Sequence, residues 1–128
     1  MKEKKVKEQK KVLWYKRPQP NNYPAARSYL NLIYDEVAVT TLIARLKKAP
    51  LNEVKAKDIF RASGHSLLGI SNYHVAKDRK KIKKGLRLSP LLLVRHSPHG
   101  KVIIADGYHR MCAVYSFNED AVVPCKIA

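Results

Sequence analysis

The chain has 128 residues, 45% of them hydrophobic, enough for one compact domain with its own core, and no apolar run approaches the roughly 18 residues of a membrane helix. Its lysine-rich start lacks the apolar stretch of a secretory signal, and Cys112 and Cys125 sit in apolar contexts, so a cytoplasmic protein with reduced cysteines is expected. Against 10 Asp+Glu stand 26 Lys+Arg, a formal net charge of +16 that calls for a polyanionic neighbour: DNA or RNA first, then the ribosome or an acidic membrane surface.

Residues 1–22 show no apolar period and end in Pro, Gln and Asn, the composition of a mobile basic arm. Met1 to Arg17 hold eight basic and two acidic residues. Lys4 and Lys5 are candidate nucleic-acid contacts there, although a solubilising tail has the same composition. Residues 23–50 form a helical extension. Pro24 suits a first helical position, and Ala26, Leu30, Ile33 and Val37 recur at helical spacing. Leu42, Ile43 and Leu46 fall on the opposite side of the same wheel, so a break is expected near Asp35–Thr41, with "LKKAPLN" ending the second piece. The extension would either cover a sheet or bind a partner.

From residue 51 to 128 strands and helices alternate. "NEVKAKDIF" suits a short strand, and "DIFRASG" about one helical turn stopped by Gly64. Asn72 is a good N-cap for a helix to Lys84, with Gly85 as its left-handed terminator. "SPLLLVR" and "KVIIA" are fully buried strands joined by the turn "HSPHG". "YHRMCAVYSF" is helical. "AVVPCKI" closes as an edge strand, because a proline cannot donate in a central one. The fold class is α+β, a small mixed α/β sheet with flanking helices.

The stretch "ADGYHRMCA" carries the chemistry. A helix opening after Gly107 leaves the amides of Tyr108, His109 and Arg110 without intrahelical acceptors, at the positive end of the helix dipole. Glycine lets backbone and ligand approach closely. An imidazole and a guanidinium complete a site suited to phosphate, with Arg110 able to make paired bonds. A purely structural reading of the same residues stays open, in which Asp106 caps the helix or pairs with Arg110. Beside a phosphate Asp106 would repel the ligand unless Mg²⁺ lay between them; the cap is preferred, because Asp is a favoured N-cap.

On the Asn72 helix, Lys77, Lys80, Lys81 and Lys84 form one stripe opposite Val75 and Ile82. Such a stripe is often only a solvated face, but four like charges in three turns are mutually destabilising and suit an anionic partner. His96 and His99 flank a proline turn without metal-site spacing, which marks a surface loop.

From about Glu53 to Ile127 the chain resembles the ParB/sulfiredoxin superfamily. The likeness lies in the order of "LSPLLLVR", "KVIIA", the Gly-x-His-Arg turn of "ADGYHRMCA" and the final "VVPCKI". The first fifty residues are not covered. The resemblance implies that Gly107, Tyr108, His109 and Arg110 grip nucleotide phosphates, of ATP in sulfiredoxins and of CTP in ParB partition proteins. It also places His74, Lys77 and Lys81 at nucleotide-contacting positions and Arg61 near the arginine that ends the first segment in sulfiredoxins. Sulfiredoxins carry a reactive cysteine immediately before the His-Arg pair, where this chain has Tyr108; a phenol cannot replace that thiolate, so sulfinic acid repair is not expected. The helix-turn-helix and dimerisation regions of a partition ParB have no counterpart here, so site-specific DNA reading is not expected either.

Three functions follow. The first is a ParB-like nucleotide triphosphate-binding domain associated with nucleic acid. The second is a Mg²⁺-dependent phosphotransferase or nuclease, with Asp106 on the metal and Glu53 or Asp58 as base. The third is a nucleic-acid-binding module without nucleotide affinity, holding phosphate backbones through Lys80, Lys84 and the N-terminal lysines.

Overall fold

The computed structural model describes residues 11–69 and 71–128. In chain order its elements are β1 (Leu13–Trp14), α1 (Asn22–Leu30), α2 (Glu36–Lys48), β2 (Asn52–Lys55), α3 (Ala56–Ser63), α4 (Tyr73–Lys83), β3 (Arg87–Leu88), β4 (Leu91–Val94), β5 (Ile103–Asp106), α5 (Tyr108–Phe117) and β6 (Val122–Ile127). The fold is α+β.

β4 and β5 are too apolar to leave either face in water, and both faces are covered. Alternation along the strands sends Leu91, Leu93 and Ile104 to one side and Leu92, Val94, Ile103 and Ala105 to the other. The first set packs with Ile59 of α3, Val75 and Ile82 of α4, and Met111 to Val114 of α5. The second packs with Ala26 and Leu30 of α1 and Val39, Ile43 and Leu46 of α2. Residues 23–50 therefore roof one face of the sheet, the first of the two roles open to them in the sequence.

The sheet runs β2-β6-β4-β5, with β6 parallel to β4 and the other two pairs antiparallel. β6 is central, not the edge strand expected from its proline. The reason lies in the register: pairing with β4 begins only at Cys125, so at Pro124 one flank of the strand has no ladder partner to donate to.

Two other expectations are corrected. The break between the first two helices falls at residues 31–35, upstream of the expected place. Asp35 caps α2 by accepting from the Ala38 amide at 2.8 Å, and Val37, counted as apolar face, is 78% exposed. The mobile arm expected over 1–22 does not hold for its second half, and residues 1–10 lie outside the described residues. Leu13–Trp14 pairs in parallel with Arg87–Leu88, and Val12 and Trp14 pack on the core, because the apolar trio "VLW" interrupts the charge run. Lys4 and Lys5 lie outside the described residues. Among the described residues no helix is long and apolar enough to cross a membrane.

Candidate functional site

β5 hands over to α5 at Gly107, whose φ of 108° lies in the left-handed region that favours glycine. α5 has no side-chain cap. Met111 donates to the Gly107 carbonyl at 2.9 Å, and the amides of Tyr108, His109 and Arg110 meet no acceptor among the described residues. Asp106 is therefore not the cap. It shares the Ile104 side of β5, facing α5, where its carboxylate accepts from Arg110 Nη2 at 2.9 Å, with the two side chains 15% and 17% exposed.

Two details revise the expected roles of Gly107 and Arg110. A Cβ at Gly107 would lie 2.6 Å from Leu91 Cγ and 2.9 Å from Arg110 Nη2, so the space glycine leaves is filled by protein, not by ligand. Arg110 also donates from Nε to the Ser89 carbonyl at 2.9 Å and from Nη2 to the Pro90 carbonyl at 3.3 Å. Its Nε/Nη2 fork is spent on the fold. Only Nη1 is without a partner among the described residues, so a paired grip through that fork is not open to a phosphate.

α4 forms the opposite wall. Asn72 caps it, accepting from the His74 amide at 2.9 Å and the Val75 amide at 3.2 Å, while Val75 and Ile82 are buried. Arg79 ties it to α5: its guanidinium lies 4.2 Å from the Phe117 ring centroid and donates to the Ser116 hydroxyl. Between α4 and the Gly107 turn lies a cleft of about 210 Å³, lined by His74, Lys77, Asp78 and Lys81 on one side and by Asp106 to Arg110 on the other. Eight of the sequence's candidates thus meet in one place: His74, Lys77, Lys81, Asp106, Gly107, Tyr108, His109 and Arg110. The lysine stripe divides, with Lys80 and Lys84 on the exposed flank outside this cleft.

Arg61 does not join them. It stands exposed on α3, 3.5 Å from Asp58, while Ala56 and Ile59 take the buried face of that helix. Glu53 and Asp58, the candidate bases, are likewise exposed and outside the cleft. Among the described residues no group of three or more His, Cys, Asp or Glu could hold a metal. With its carboxylate already bonded to Arg110, Asp106 loses its case as a Mg²⁺ ligand.

The site's electrostatics centre on Asp78, an acid inside the basic run that was not among the candidate site residues. Burial pushes its carboxyl above the ordinary value, against the opposing pull of Lys81, Arg110, His109 and Lys77. The available signal was its position three residues before Lys81, on one helix face. His109 is pushed below the ordinary imidazole value by burial and then by His74, whose ring centroid is 4.7 Å away; Asp78 opposes the shift and Arg110 adds to it. Tyr108 is anchored, its hydroxyl donating to the Ser66 carbonyl. Cys112 faces the core, fully buried, and burial raises its thiol above the ordinary value.

A second cleft of about 320 Å³ adjoins the first, sharing Asp78, Lys81 and Arg110 and adding Tyr15, Gln19, Asn21, Asn22 and residues 86–89. Four of these belong to the segment expected to be a mobile arm, which is why no sequence pattern pointed to them. Comparison of the chain with protein-family models, with curated proteins and with solved structures returns no match.

Proposed function

We propose that this protein is a ParB-like nucleotide triphosphate-binding domain that works beside nucleic acid. The observation carrying the proposal is the start of α5: three amides without acceptors among the described residues open onto a cleft whose other wall supplies Lys77 and Lys81. The phosphate chain lies on those amides, with His109 and Arg110 Nη1 flanking it and the two lysines closing over it. The nucleoside continues into the adjoining 320 Å³ cleft, beside the polar side chains of Gln19 and Asn21. ATP and CTP both fit this description, and Mg²⁺ would enter on the phosphates. Any contribution to phosphoryl chemistry is electrostatic stabilisation. The excess of basic residues outside the cleft, Lys80 and Lys84 among them, supports the association with nucleic acid.

The test is thermal unfolding with each of the four ribonucleoside triphosphates and with tripolyphosphate, with and without Mg²⁺. A ligand at a hundred times its Kd stabilises the native state by about 2.7 kcal/mol, and the Lys77→Ala/Lys81→Ala double variant should lose most of that gain. Unfolding curves that no triphosphate moves, under either metal condition, reject the proposal.

A further inference from the structure

We infer that the rim of this cleft is a platform for single-stranded nucleic acid, on which bases stack against a row of rings while a lysine track holds the phosphates. The inference rests on the phosphate reading of the cleft and adds the partner that lies across it.

Five rings follow one another along the rim. His65 lies 5.0 Å from Tyr108, Tyr108 5.5 Å from His109, His109 4.7 Å from His74, and His74 5.3 Å from Tyr73, centroid to centroid. The row joins a loop, the start of α5 and the start of α4, elements with no local reason to converge aromatic residues. Its outer end is open: Tyr73 is 71% exposed, a large apolar surface left in water at the edge of a strongly basic site.

The charge has the same geometry. On α4, Tyr73, Lys77, Lys80, Lys81 and Lys84 follow at i, i+4, i+7, i+8 and i+11, so the exposed ring heads the lysine stripe. At the helical rise the stripe extends the rim by about 10 Å from Lys77 to Lys84. A base stacked on Tyr73 or His74 therefore has its own backbone phosphate beside a lysine. A duplex cannot use the rings, because its bases are stacked on one another, and would meet only the lysines. A row of rings running into a track of cations is what single-strand binders combine, with each stacked base contributing in a sequence-tolerant way.

The experiment is fluorescence anisotropy of the full chain with labelled strands of about 12 nucleotides: oligothymidylate, oligouridylate, an abasic strand with the same phosphates, and a duplex of equal length. Base-bearing strands should bind at least about tenfold tighter than the abasic strand. Tyr73→Ala should weaken oligothymidylate binding by about 5- to 100-fold and leave abasic binding unchanged, with Tyr73→Trp restoring it. Lys80→Ala and Lys84→Ala should weaken all strands alike and lower the salt slope by about 0.7 each. Equal affinity for base-bearing and abasic strands, or tighter binding of the duplex, overturns the inference. Tripolyphosphate stabilisation of the wild-type chain separates the two failures. If it is present while the strand test fails, only the platform falls; if it is absent, the cleft reading falls first.

Discussion

Replacing Arg110 with alanine removes far more than a ligand contact. Arg110 satisfies the carbonyls of Ser89 and Pro90 and neutralises Asp106, whose side chain is only 15% exposed. Breaking a buried pair by deleting one partner costs about 3–5 kcal/mol, because the remaining charge keeps its desolvation penalty without compensation. That is a large part of the roughly 5–15 kcal/mol that holds a domain together. Arg110→Ala should therefore lower the urea midpoint by the equivalent of about 3–5 kcal/mol with little change in slope. Arg110→Met/Asp106→Leu, which removes both charges, should recover part of the loss, the two carbonyls still lacking their donors. An Arg110→Ala chain within about 1 kcal/mol of wild type would refute the reasoning and return Arg110 to a role centred on the ligand. The same numbers make Arg110 a poor probe of nucleotide binding, since a failed melting shift could follow from a damaged fold.

Gly107→Ala meets both the left-handed φ and the 2.6 Å approach of Leu91, so it should cost about 1–3 kcal/mol of backbone strain and a similar overpacking term, read as a lower Tm. For Asp78, a carboxyl raised by burial destabilises the fold once ionised: stability is lost as pH climbs from the ordinary 3.8 through the raised native value. Asp78→Asn should then leave Tm at pH 7 equal to or above wild type and tighten tripolyphosphate binding several-fold; a clear drop in Tm would count against it. His109 has the opposite linkage: held neutral below the ordinary 6.5, it makes the ligand-free protein lose stability as pH falls through that window. A bound triphosphate favours the cation, so nucleotide affinity should rise as pH falls below 6.5, and His109→Gln should flatten the calorimetric pH profile.

Local chemistry was legible in the sequence, and long-range pairing was not. The Asn72 cap, the Gly85 terminator and the span of α5 follow from signals within a few residues, and the unbroken apolar runs of β4 and β5 announce strands covered on both faces. The place of β6 depends on which flank of Pro124 lacks a neighbour, a fact held by residues 91–93, thirty positions upstream. β1 was hidden because two residues of strand inside a lysine run carry no period. At the site, helical spacing set Lys77 and Lys81 on one face of α4, but nothing in that spacing said that this face meets the Gly107 turn. The use of Arg110's fork depends on carbonyls twenty and twenty-one residues before it, which no local pattern reveals. His65, unremarkable between a glycine and a serine, enters the ring row only because Tyr108 reaches back to the Ser66 carbonyl.

The most direct measurement is a titration of the isotopically labelled chain with tripolyphosphate, followed by amide NMR. The amides of Tyr108, His109 and Arg110 should shift together and saturate at one Kd, with smaller movements along α4 near Lys77 and Lys81. Those three amides standing still while lysine-rich surfaces elsewhere respond would contradict a phosphate seat at the start of α5.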